Sequence, residues 1–357
     1  VFDDLTSGDS NTGVGAQALA KLTTGTSNVA IGYQSLDALT TAAENTAVGA
    51  ASMTANTTGA SNAAFGTDTL KANTTGSENT ALGAYSLDAN TTGASNTAVG
   101  LSSLSANTTA SDNTAVGKNS LRDNTTGASN TAVGLGSLAT NTTAANNTAV
   151  GYFALVANTT GTENTAVGSA ALDACTTGSY NSAVGRNSLG ALTTGGENVA
   201  MGYHSLDANT TGTGNTALGG SSLGANTTAS YNTGIGYNAL AGNETATGCT
   251  AVGSYSLDAN NSGDNNTAVG YAALGANTTA SSNTAIGASA SDATTTGSYN
   301  TSVGSSALGA HTTGAENTTV GYSSMGALTT GSNNTAMGAH SLVAVTDQAG
   351  NAAFGRY

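Results

Sequence analysis

The sequence predicts an all-β protein, a parallel β-solenoid or β-roll of 21 coils with 17 residues in each. Three observations carry that expectation. An asparagine stands at residues 11, 28, 45, 62 and every 17 residues thereafter to 351, with Cys249 the one substitution and no insertion or deletion. Glycine follows four residues after it in all 21 copies, from Gly15 to Gly355. The 357 residues include 49 glycines but no proline, as stacked strands require, because a proline would interrupt a ladder. A fixed period near 20 residues is the signature of a solenoid.

Counted from its asparagine, the repeat has seventeen columns, N-T-A-V-G-x-x-S-L-x-A-N-T-T-G-x-x. Columns one to five, N-T-A-V-G, read as a strand, since threonine and valine favour strands and alternate with smaller residues. S-L-x-A reads as a second strand and N-T-T-G as the turn back. Column four is always apolar, from Val14 to Phe354, and column nine is leucine in 17 of its copies between 19 and 342. These two columns are expected to form a narrow core between the two strands. The glycine column, Gly32, Gly49 and Gly66 among others, implies a positive φ or a close approach that a Cβ would block. The asparagine column, with Asn28, Asn45 and Asn62 as examples, is expected to satisfy buried backbone groups at a corner and to bond the amide of the next coil.

Column three holds Ala30, Ala47, Ala64, Ala81, Ala98 and Ala115, elsewhere Gly13, Gly234, Ser302 or Thr319, and never a long or charged side chain. Strand alternation places it on the face opposite column four. The alanine column is therefore expected to point away from the coil's own core and to be the lateral interface with a second chain. Close packing by another sheet of the same chain is the alternative.

Aspartates 37, 88, 173, 207, 258 and 292 share column ten but never occupy neighbouring coils. Glu44, Glu78, Glu163, Glu197 and Glu316 behave likewise in column seventeen, as expected if like charges on stacked coils repel. No composition shift marks a boundary, so residues 1–357 read as one continuous solenoid domain. It is uncapped at both ends and, at the spacing of paired strands, on the order of 100 Å long. Because 357 is 21 times 17, the residue expected in phase after Tyr357 is one like Val1, whether in a second copy or in a longer rod of which this is a segment. Val1, Phe2, Leu5, Phe354 and Tyr357 are the expected end-to-end interface, since a head-to-tail contact that does not close gives a filament.

Net charge is −14, with 20 acids against Lys21, Lys71, Lys118, Arg122, Arg186 and Arg356. No basic patch is available to neutralise phosphates, so nucleic acid is not an expected partner. No apolar run approaches the 18 or so residues of a membrane span, and no membrane insertion is expected. Cys175 and Cys249 lie five coils apart, roughly 24 Å at strand spacing, too far for a disulfide, and are expected to be buried free thiols. His204, His311 and His340 occupy different columns and form no ligand cluster, so no metal or other cofactor is expected. No nucleophile–base pair stands out from the repeated serines and threonines, and the chain is read as non-enzymatic. The Asn-Thr-Thr triplets are formal glycosylation acceptors that read better as turn chemistry, because Leu22, Leu39, Leu192 and Leu328 replace the same asparagine. The column-six tyrosines Tyr33, Tyr152, Tyr203, Tyr237, Tyr271 and Tyr322 are candidates for a contact stripe.

Asn28-Val29-Ala30-Ile31-Gly32 followed by Ser35 resembles the head repeat of trimeric autotransporter adhesins, whose signature is V-A-I-G-x-x-S. The N-T-A-V-G-x-x-S-L form also resembles shaft segments of bacteriophage tail fibres. The likeness covers all 21 coils through columns two to five and eight. It implies a left-handed, two-stranded parallel β-roll in which three chains pack about a common axis. The coils here are longer than those of adhesin heads by the N-T-T-G corner. The function expected is a structural subunit of an extracellular, self-assembling fibre at a cell or virion surface, stacking end to end and packing laterally. Its partners would be copies of itself, as a trimer or a head-to-tail polymer. The alternatives are a trimeric adhesin head or tail-fibre shaft that binds a surface receptor or glycan, and an ice-binding rod, for which regular threonine columns would need a flat exposed face.

Overall fold

The computed structural model describes residues 2–356 and contains 21 strands of three residues each and no helix. They fall in two compact units, Val1–Tyr180 and Asn181–Tyr357. The first carries ten strands, β1 (Thr12–Val14) to β10 (Thr165–Val167), and the second eleven, β11 (Ser182–Val184) to β21 (Ala352–Phe354). Within each unit every strand pairs in parallel with the equivalent strand one coil away, column on column: Ala30 opposite Ala47 and Ile31 opposite Val48 in the first, Ala200 opposite Ala217 and Met201 opposite Leu218 in the second. The 17-residue solenoid is therefore the fold of both units.

The ladder explains the strict columns. Thr46 donates its N–H forward to the carbonyl of Asn62 at 2.8 Å, while Gly49 donates back to Ile31 at 2.8 Å, so each short strand is held from both sides. Gly49 has φ of 142°, and a Cβ on it would collide with the backbone carbonyl of Gly66 in the next coil. No other residue type could occupy that column without breaking the stacking. The threonines of the N-T-T-G corner join the coils as well. Thr57 sends both its N–H and its hydroxyl to the carbonyl of Thr74, each at 3.0 Å.

Two expectations are corrected. S-L-x-A is not a second strand. Its leucine adopts a left-handed φ near +50°, as at Leu36 and Leu121, and the column-seven residue before it is left-handed too. Ser35 N–H reaches back to Gly32 and Leu39 N–H to Leu36, so the segment is a pair of turns. Each coil thus has one strand, and the turns close the loop that a straight second strand would leave open. The left-handed backbone of these β-carbon-bearing residues is strained. Coil-to-coil bonds such as Leu36 N–H to the Ser52 carbonyl, 3.1 Å, hold it in place.

The facing of the strand is also reversed. The alanine column is the interior: Ala30, Ala47, Ala64, Ala81, Ala98 and Ala115 are fully buried within the single chain. They pack with the buried column-nine leucines, as in the cluster of Leu308, Met325, Leu328 and Ala336 with Leu342 and Val345 against it. Only a small side chain fits there, because the strand lies close to the turn opposite. A Cβ on Gly234 would sit 2.6 Å from Ser222 Oγ and 3.3 Å from Leu223 Cγ. Column four instead points outward, with Leu82 48% exposed beside Ala81 at 0%. The alanines thus have no surface left for a lateral interface, and the partner that presses on them is the chain's own turn.

Candidate interaction surface

Each strand presents its first and third residues to the outside, so columns two and four form adjacent outward rows of threonine and of valine, isoleucine, leucine, methionine or phenylalanine. Column six lies two residues further on and adds exposed tyrosines. In the second unit Leu218 and Ile235 are each 37% exposed and Tyr271 is 61% exposed. Tyr237, Tyr255 and Tyr271 form a contiguous aromatic group, with edge-to-face ring centroids at 5.6 and 6.1 Å. Arg186 lies over the Tyr203 ring at 5.8 Å, and that ring meets His204 edge-on at 4.0 Å. His204 Nδ1 in turn is 2.5 Å from Asp207 Oδ2.

No acid occurs in columns two, four or six, although the chain has 20 acids, and three of its six cations, Lys118, Arg186 and Arg356, are in column six. The acids lie on other columns. The column-ten aspartates are half-sunk beside the turns, and burial raises the carboxyl pKa of Asp88, Asp173, Asp258 and Asp292. The surface ion pairs Lys21–Asp37 at 3.8 Å and Lys71–Asp68 at 3.0 Å are exposed on their lysine side and contribute little to stability.

The remaining candidate positions fall as follows. Asn28, Asn45 and Asn62 are buried at a corner. Asn28 Oδ1 accepts the backbone N–H of Asn45 at 3.0 Å and its side-chain amide at 3.2 Å, while Asn28 Nδ2 donates to the Ala42 carbonyl at 2.9 Å. Gly32, Gly49 and Gly66 all have φ between 135° and 142°. Of the end residues, Val1 and Tyr357 lie outside the described residues, Phe2 is half-buried, and Leu5 and Phe354 are exposed.

Both cysteines are buried and free, and burial pushes each thiol up to about 11. Each stands in for an asparagine. Cys249 donates to the Gly263 carbonyl at 3.2 Å, as Asn232 Nδ2 does to Ala246, and its sulfur meets the Asn266 N–H. His311 is also buried in an asparagine column, where desolvation lowers its pKa to about 4. Among the described residues no group of three metal-ligating side chains comes together, and no helix is long and apolar enough to cross a membrane.

No protein-family model and no curated protein matches the chain. The parallel solenoid is what the resemblance carried by V-A-I-G-x-x-S implies, the two-stranded coil it implies is not found among the described residues, and membership of a family does not follow. The outward row was the feature that alternation alone misplaced, yet the sequence carried its signal. Column four tolerates side chains from valine to phenylalanine, whereas column three stops at threonine. Tight size limits mark the packed interior, and loose ones mark the outside.

Proposed function

We propose that the chain is a non-enzymatic structural subunit of an extracellular fibre, assembling with copies of itself. The observation that supports this reading most directly is the uniform, in-register stacking of every coil within each unit. It commits almost every column to holding the ladder together and leaves an apolar, tyrosine-bearing row outside. A coil that repeats one bonding scheme with no insertion suits a load-bearing scaffold, because each neighbour contact is the same. Charged groups are dispersed over the outer columns rather than gathered on a few coils, which favours a scaffold over a catalyst.

Electron microscopy and light scattering of the purified chain test the reading. Elongated assemblies of many chains are the expected result. A chain that stays single at all concentrations would overturn it. The exposed column-six tyrosines also favour a second reading, a trimeric adhesin head or tail-fibre shaft whose outer surface contacts a receptor or glycan. Discrete particles with the mass of three chains would select that reading.

A further inference from the structure

We infer that the outward face made by columns two, four and six is where a second copy of this chain docks. The inference rests on the fibre reading above and specifies the surface through which it would work. Two properties single out this face, and a third, shared by every outward row, suits it to a second copy.

The first is area. In the second unit, column-four residues such as Leu218 and Ile235 and column-six residues such as Tyr203, Tyr237 and Tyr271 are between 37% and 61% exposed. Together with their equivalents along the unit they present on the order of 700 Å² of side-chain surface. A monomer rarely leaves an apolar patch of more than about 300–600 Å² open to water, and a stable interface uses about 800 Å² from each partner. One unit thus carries nearly a full interface side.

The second is charge. At a net charge of −14, two copies repel, and the approach that costs least is one that brings no carboxylates together. Columns two, four and six hold no acid and half of the chain's cations, so this face answers that need. The third is period. The outward rows repeat once per coil, and a second copy repeats at the same spacing, so a contact made at one coil recurs at the next. The column-six tyrosines Tyr203, Tyr237 and Tyr271 supply aromatic anchors of the kind that dominate interfaces, the last two held edge-to-face by column-seven Tyr255 between them.

The test uses the full chain and sedimentation over a range of concentrations. The triple variant Tyr203→Ser, Tyr237→Ser, Tyr271→Ser removes three anchors and places in column six a residue that column already accepts at Ser169, Ser254 and Ser305. Its association should weaken at least tenfold with circular dichroism unchanged. A second variant, Leu218→Thr with Ile235→Thr, should weaken association in the same direction. The control Tyr231→Ser with Tyr299→Ser removes exposed tyrosines from column seventeen, where serine also occurs, and should leave association intact. Raising salt should strengthen wild-type association by screening the repulsion.

If wild type associates and the face variants behave as wild type, another face is used, column seventeen if the control weakens association; the docking face is overturned while the fibre reading stands. If wild type sediments as a single chain at every concentration and salt, both fall. If that single chain shows thermal hysteresis lost in the Leu218→Thr, Ile235→Thr variant, the outward rows meet an ice lattice rather than a second copy, and the inference is likewise overturned.

Discussion

Two stretches of interior are built on one backbone with different contents. From Asn90 to Asn158 column twelve is an unbroken asparagine ladder, each Nδ2 donating to the Oδ1 of the coil before: Asn107 to Asn90 at 2.8 Å, Asn141 to Asn124 at 2.8 Å. Between Ser291 and Thr319 the interior is irregular. Ser291 replaces the column-nine leucine and bonds Ser302 at 2.8 Å, Thr294 replaces an asparagine and meets His311 at 3.2 Å, and Thr319 sits in the alanine column. The coil stacks in register in both stretches. The backbone ladder therefore sets the fold, and interior side chains are exchangeable where they bond only each other.

The interruptions leave traces. Asn158 precedes Cys175, and Asn277 precedes Thr294; in each case the next coil lacks the amide that would donate, and the Oδ1 of Asn158 and of Asn277 is buried without a partner. The Thr319 hydroxyl is orphaned too. Column one is stricter because its Oδ1 accepts a backbone N–H, as Asn113 does from Asn130 at 2.9 Å. Cys249 is admitted there because its sulfur meets the same N–H.

The largest expected effect separates the two asparagine columns. Asn113→Leu strands the Asn130 N–H and should cost about 3 kcal/mol, whereas Asn107→Leu, in a column where leucine already occurs, should cost about half of that. Denaturant midpoints of the two variants check the order; equal costs would break the distinction.

Acid sharpens the contrast at His311. With its pKa lowered to about 4, the native imidazole stays neutral while the unfolded chain takes up a proton below about 6.5. The unfolded state then binds more protons, so stability falls as pH drops from about 6.5 to about 4, by up to about 3 kcal/mol. Carboxyls with raised pKa act in the opposite direction at lower pH, so the readout is the difference between wild type and His311→Leu. That difference should grow across this window and level off below it. No change in the difference would mean the imidazole is solvated.

Smaller gains are expected from repairing the ladder. Thr294→Asn offers a donor to the orphaned Asn277 Oδ1 and should stabilise by about 1–2 kcal/mol, read from thermal or denaturant midpoints, whereas Cys175→Asn passes the orphan to its own Oδ1, because Leu192 follows, and should be near neutral. Thr319→Ala removes a buried hydroxyl without a partner and restores the column's usual residue, for about 1 kcal/mol. A loss of stability in either case would show that water or a shifted side chain already satisfies these atoms.

Much of the coil was legible in the sequence. The unslipped interval from Asn11 to Asn351 implies the parallel register, and the unvarying glycine after the strand implies a backbone that no Cβ can share. What failed has physical causes. Leucine has no preference for the left-handed region, so nothing in S-L-x-A announces that Leu36 and its equivalents sit in turns; coil closure imposes it. Alternation says that Ala81 and Leu82 face opposite ways but not which is inside. In an interior this narrow the smaller residue goes in, against the habit of assigning the larger one to the core.

That facing decides which surface is free to meet another chain, and cysteine accessibility tests it directly. Ala81→Cys and Leu82→Cys differ by one position, and column three already accepts Ser302 and Thr319, so a cysteine fits either site. The native thiols, buried and with pKa near 11, contribute a slow background. In the folded protein a maleimide reagent should modify Leu82→Cys quickly and leave Ala81→Cys protected until the chain unfolds. Rapid labelling at 81 with protection at 82 would reverse the strand, return the alanine column to the outside, and contradict the account.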